Sequence, residues 1–312
     1  MRKAVTLAAV AALALSSGLS AQDTGGVYVN SVWEVPKFGA PPTLDGVRGA
    51  EEWQGALVLE CGVSTILSDG AEFGWVDIEN QSTVQSVNQL NASEGEDAAL
   101  ARTDEDYFGT IYHAWDDDAM YYLVEAQDNF HDVEGGGEGR AWWERDSMSL
   151  YIDLQNTKEE VTTCCDGPYT ALNIVNFMAT PQSSSTISIT WERTIASVRE
   201  TTNDPDIIEG FAYGYADADL GNDADYIIEG ALPWETFMRF NLPAAPTNGS
   251  EIGFSWLPPD PDGDDGFGGQ LQCYGWADNP ASYNTWLYTD NPAGPTASAV
   301  EANSWGRIKA TF

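Results

Sequence analysis

The stretch Trp142-Trp143-Glu144-Arg145-Asp146-Ser147-Met148-Ser149-Leu150-Tyr151-Ile152-Asp153 constrains the fold more than any other part of the chain. From Asp146 onward it alternates. Met148, Leu150, Ile152 and Leu154 share one side, and Ser147, Ser149, Tyr151 and Asp153 share the other. Period-two alternation predicts a strand with one buried face and one wet face. Ahead of the two tryptophans lies a loop too rich in glycine to pack, Gly135-Gly136-Gly137-Glu138-Gly139. A loop, paired indoles and then a rigid strand can hold an aromatic surface at the rim of a sheet. Neighbouring strand residues face opposite ways, so one of Trp142 and Trp143 is expected in the core and the other is a candidate ligand contact.

The same pattern recurs along the chain. Gly109 to Trp115 and Met120 to Gln127 read as two strands joined by the turn Asp116-Asp117-Asp118-Ala119, a hairpin signature. Strands are also expected at Tyr169 to Met178, Thr186 to Glu200 (with room for a hairpin), Ile207 to Tyr215, Tyr226 to Leu232, Glu251 to Leu257, Gln272 to Trp276 and Arg307 to Phe312. One helical turn is expected from Pro233-Trp234-Glu235 to Arg239. No long stretch has a helical period. Many short strands separated by Gly, Pro and Asp turns predict an all-β fold, an antiparallel β-sandwich of jelly-roll type, in a single domain. Residues 60–107 are polar and irregular and read as a long insertion. Trp53 is expected to plug one end of the core.

Residues 1–21 read as a secretory signal. Arg2 and Lys3 begin it, Val5 to Leu15 form its apolar run, and Ser16 to Ala21 supply small residues before a cut after Ala21. That run is too short to span a bilayer, so the expected product is secreted, extracellular or periplasmic. Residues 22–40 read as a leader running into a short strand, and 41–312 as the domain. Without Arg2 and Lys3 the chain has eleven basic residues against 49 acidic ones, a net charge of −38. Such a surface excludes nucleic acid, whose affinity comes from lysines and arginines on phosphate, and it excludes anionic membranes. Calcium binding, a saline habitat or solubility by self-repulsion are its positive readings, and self-association stays compatible with it. Four cysteines in an exported chain predict disulfides. Cys61 and Cys273 are each expected to take one of the neighbours Cys164 and Cys165.

Several pieces, in order, resemble the family 9 carbohydrate-binding modules and their wider sandwich superfamily. They are Leu44-Asp45-Gly46 with Trp53, then Ala114-Trp115-Asp116 leading into Met120 to Val124. Trp143-Glu144-Arg145-Asp146-Ser147 with Tyr151-Ile152-Asp153 follows. Tyr226 to Trp234, Gly253-Phe254 and Trp305-Gly306-Arg307-Ile308 complete the set. The resemblance implies a non-catalytic module that holds a terminal sugar of a plant- or algal-type polysaccharide between two tryptophans. One falls on Trp143. The other belongs in the last long loop before the final strand, where Trp286 is the best match. Sugar C–H faces are apolar and stack on indole, while the hydroxyls need polar partners at the rim. Trp142, Glu144, Asp146, Ser149 and Asn176 are the candidates for that rim. The chain departs from the family at two of its polar positions, where it has Ser149 and Ile174. The alternative function is a structural or adhesive surface scaffold that uses the same sandwich without a sugar.

Pro259-Asp260-Pro261-Asp262-Gly263-Asp264-Asp265 places carboxylates at alternate positions, spacing that lets oxygens converge on a hard cation. Asp260, Asp262, Asp264 and Asp265 are the expected ligands of a structural calcium ion, which the resemblance also implies. Asp116 to Asp118 read as a turn instead. His113 and His131 sit at no metal-like spacing, and His113 is expected to pack within its strand. No catalytic motif of the GxSxG, HExxH or phosphate-loop kind is present, so the expectation is a binder with no enzyme activity.

Overall fold

The computed structural model describes residues 31–62, 64, 74–77, 82–85, 104–105, 107–129, 148–158, 174–183, 186–195, 198–202, 212–221, 225–239, 242–256, 258, 274–275 and 280–294. Fourteen strands are described. The early ones are β1 (Val32–Phe38), β2 (Leu57–Gly62), β3 (Gly74–Asp77) and β4 (Ser82–Gln85), followed by β5 (Tyr107–Trp115), β6 (Ala119–Asp128) and β7 (Met148–Asp153). The later ones are β8 (Ile174–Ser183), β9 (Thr186–Ile195), β10 (Val198–Thr202), β11 (Ala212–Asp217), β12 (Tyr226–Pro233), β13 (Glu251–Trp256) and β14 (Asn284–Ala293). A helical turn, α1 (Trp234–Arg239), follows β12.

Twelve strands form one hydrogen-bonded path in the order β10-β9-β8-β7-β13-β14-β1-β5-β6-β12-β11, with β2 added on β5. The path folds over at β1. This strand pairs in parallel with β14 from Val32 onward and touches β5 at Lys37 opposite Trp115, with a register shift between Val35 and Lys37. Pro36 stands at that shift, where a strand can lose a ladder donor at least cost. The two halves then face each other. Ile111, Val124 and Ile228 from one half share a core with Leu150, Ile152, Phe254 and Trp286 from the other. The chain is therefore an all-β sandwich.

Two differences from the sequence reading have simple causes. First, β1, the short strand expected at the end of residues 22–40, pairs in parallel with β14 and β5, whereas every other pairing among the described residues is antiparallel. Its short apolar pattern reports that it is a strand but not which neighbour it chooses. Second, β7 has no wet face. Ser149, Tyr151 and Asp153 are nearly as buried as Met148, Leu150 and Ile152, so the second face of this central strand is covered as well as the first.

The hairpin of β5 and β6 closes at the expected turn. Asp116 Oδ1 accepts the N–H groups of Asp118 and Ala119 at 2.8 and 2.9 Å, and Oδ2 accepts the Tyr121 hydroxyl at 2.8 Å. The Asp116 carbonyl accepts the Trp234 indole N–H at 2.8 Å, which pins α1 to the turn. Burial pushes the Asp116 carboxyl up, and those three donors pull it back. The expected hairpin within 186–200 is β9 with β10. Inside the stretch read as an insertion, β3 and β4 form a separate two-stranded sheet. The strand expected at 307–312 lies outside the described residues, as does most of the one expected at 272–276.

Candidate functional site

Register fixes where the tryptophan pair joins the sheet. Met148, the first residue of β7, lies opposite Ala179, and Leu150 lies opposite Trp256, the last residue of β13. The chain therefore enters β7 from residues 142–147 at the same end of the sheet at which it leaves β13 toward residues 259–265. The side chains of Trp142, Trp143, Glu144, Asp146, Asp260, Asp262, Asp264 and Asp265 lie outside the described residues, as do those of Cys164, Cys165 and Cys273. Asn176 lies in β8 directly opposite Tyr151. Cys61 is buried near the end of β2 and is disulfide-bonded, with a partner outside the described residues. Among the described residues no group of three or more His, Cys, Asp or Glu side chains is placed to hold a metal.

Trp286 requires a correction. It lies in β14 rather than in a loop, and it is fully buried. Its indole stacks on Phe254 with centroids 4.1 Å apart and planes 10° from parallel, and the His113 ring lies 4.1 Å away from across the sandwich. No face is left for a sugar. Ser149 is likewise fully buried in the middle of its half-sheet, so it presents no hydroxyl to a ligand at the surface. His113 packs as expected: its Nδ1 meets the Tyr121 carbonyl at 2.8 Å, and burial lowers it to about 3, so it is neutral.

Polar groups brace the strands at the opposite end of β7. After β7 the chain turns through Asn156 and Lys158, both in the left-handed region (φ 49° and 53°). The Asp153 carboxylate holds that turn by accepting from Gln155 N, Thr157 Oγ1 and Lys158 N. The Lys158 ammonium donates to the carbonyls of Tyr283 and Asn284 at the head of β14. Burial lowers Lys158 to about 8, against the pull of Asp153 and Glu251. Asn284 in turn accepts from Ser31 N and from the Trp33 indole, and donates to the Tyr274 carbonyl. One network thus joins β7, β14 and β1.

A second anchor involves a residue that sequence reasoning passed over. Glu229, fully buried on β12, accepts the N–H groups of Asp45 and Gly46 on Oε2 at 2.9 and 2.8 Å, and the Trp53 indole N–H on Oε1 at 3.0 Å. Trp53 is buried, but in a second apolar cluster on the outer face of the sheet rather than at one end of the main core. The available signal was a lone carboxylate in the apolar run Tyr226-Ile227-Ile228-Glu229-Gly230-Ala231-Leu232, since a charge inside a buried strand demands partners.

These features define a class: an all-β sandwich with polar anchors buried among its strands. The chain belongs to the carbohydrate family 9 binding domain-like family, whose model matches residues 76–291. No curated protein matches the chain. Among solved structures it is similar to a family 9 carbohydrate-binding module from Caldicellulosiruptor kristjanssonii in complex with cellotriose. The two are 12% identical with a TM-score of 0.48, over 86% of this chain and 97% of that one. It is also similar to a family 9 module from the same organism in complex with glucose. That match has 12% identity and a TM-score of 0.47, over 87% of this chain and 100% of that one.

Proposed function

We propose that this protein is an exported, non-catalytic carbohydrate binder acting on a plant- or algal-type oligo- or polysaccharide. The observation that carries this reading is the family match, which spans the Trp143-Glu144-Arg145-Asp146-Ser147 motif. Trp143 supplies one stacking surface. With Trp286 in β14 and buried, the tryptophan of the connection between β13 and β14 is Trp276, and it takes the second place. Trp142, Glu144, Asp146 and Asn176 are the polar and aromatic rim that meets the hydroxyls. A calcium ion on Asp260, Asp262, Asp264 and Asp265 stiffens the loop that carries Trp276. Disulfides from Cys61 and Cys273 to Cys164 and Cys165 suit the oxidising compartment to which residues 1–21 direct the chain.

A tryptophan-fluorescence titration against soluble plant and algal oligosaccharides, with calcium and with chelator, tests the reading. Saturable quenching by one glycan class, weakened by chelator, supports it. No response across the panel contradicts it and favours a surface scaffold.

A further inference from the structure

The turn that follows β7 and the head of β14 gather oxygens around one ammonium. Lys158 Nζ donates to the Tyr283 carbonyl at 2.5 Å and to the Asn284 carbonyl at 2.8 Å. Both are backbone oxygens at the entry to β14, so the sheet sets their positions. The carboxylates of Asp153 and Glu251 act on the same ammonium through space. Asn156 brings an amide oxygen. A Cβ on Gly253 would lie 3.1 Å from Asn156 Oδ1 and 3.5 Å from Lys158 Nζ, so the bare backbone of β13 is the floor on which both atoms rest.

The turn is fixed from several sides. Asn156 and Lys158 both stand in the left-handed region, which non-glycine residues keep only when their contacts hold them. Asp153 Oδ2 accepts from Thr157 Oγ1 and Lys158 N inside the turn. Asn156 Nδ2 donates to Glu251 Oε2 at 3.0 Å, and Asn156 Oδ1 accepts from Thr285 Oγ1 at 3.2 Å. The oxygens around Nζ are thus held by β7, β13 and β14 together.

Two carbonyls, an amide oxygen and two carboxylates are the donor set of a hard cation. Calcium takes such oxygens at about 2.3–2.6 Å, close to the reach of the ammonium here, and its double charge matches the two carboxylates. An ammonium has only three donors to give, and two of them go to the carbonyls. A lysine, however, is tethered, so it fills the place with no metal in solution.

We propose that this cage is a calcium-type cation site that the chain fills with its own Lys158, which makes the bracing of β7 against β14 and β1 independent of metal. Removing the ammonium without refilling its space opens the cage to a free divalent cation. The cage shares no residue with the acidic loop from Asp260 to Asp265.

Exchange of the Trp33 indole proton reports on the cage, because Asn284 Oδ1 holds that proton. It is followed in chelator and in about 5 mM calcium, enough to load extracellular sites. Calcium bound elsewhere acts on every variant alike, so each rate is divided by that of wild type under the same condition. Lys158→Gly suits the left-handed backbone and empties the cage. Its ratio is expected to be about tenfold or more in chelator, from the lost bonds to a charged group, and to fall back toward one in calcium. Lys158→Met fills the space without charge, so its ratio is expected to stay high in both. A Lys158→Gly ratio that is the same in calcium and chelator overturns the proposal, and so does a Lys158→Met ratio that falls as far. Should Lys158→Gly fail to fold, Lys158→Asn, which is short and tolerates the same backbone, is read in its place with the same outcomes.

Discussion

The indole of Trp286 lies flat on the ring of Phe254, two strands' side chains stacked at 4.1 Å inside the sandwich. Their contact makes Trp286 a core residue of the β13 and β14 pair. Trp286→Ala therefore costs about 3–5 kcal/mol of stability, the range for emptying a large aromatic site. Trp286→Phe stays folded and keeps the glycan affinity of wild type. Urea denaturation of the first variant and a glycan titration of the second check both statements.

His113 is predicted to stay neutral in the folded protein at pH 4.5. Burial holds it at about 3, below its ordinary 6.5, so its contribution to stability is present above pH 6.5 and is lost as pH falls toward 3. Between pH 6.5 and 4.5 the loss is roughly 2–3 kcal/mol, at about 1.4 kcal/mol per unit. Imidazole nitrogen shifts give the direct reading. Protonation of His113 near pH 6.5 in the folded state contradicts its placement.

Asp116 closes the β5–β6 turn with three accepted bonds. Asp116→Ala removes all three acceptors and is expected to lower stability by about 1–3 kcal/mol. Asp116→Asn keeps an oxygen for the two backbone donors and loses less. Thermal melts of the two variants rank them.

Lys158 reaches from the turn after β7 to two carbonyls at the head of β14. Lys158→Met fills the same space without donors and leaves those carbonyls short of a partner. A loss of about 1.5–3 kcal/mol is expected, the range for bonds to a charged group. Faster exchange of the Trp33 indole proton follows in the same variant, because Asn284 holds that indole.

Much of this fold is legible in the sequence because alternation and turn residues act locally. The β5–β6 hairpin, β12 with its helical turn, and the β9–β10 pair all follow from patterns a few residues long. What alternation does not report is what lies over the second face of a sheet. Ser149, Tyr151 and Asp153 read as wet because they are polar or amphipathic, yet β7 is central and covered. The same limit explains Trp286. An indole in the chain between two strands looks the same whether it faces a ligand or a partner sheet, and only the β13–β14 register separates the two. Glu229 illustrates the converse. Its partners, Asp45, Gly46 and Trp53, lie more than 170 residues away in sequence, so no local pattern pairs them.

The most direct test of the account is an isothermal titration of wild type and Trp143→Ala with soluble oligosaccharides in the presence of calcium. Wild type is predicted to bind one glycan class saturably. Trp143→Ala is predicted to lose at least tenfold in affinity, about 1.4 kcal/mol, while its melting temperature stays near that of wild type. Binding that survives Trp143→Ala undiminished contradicts the central claim.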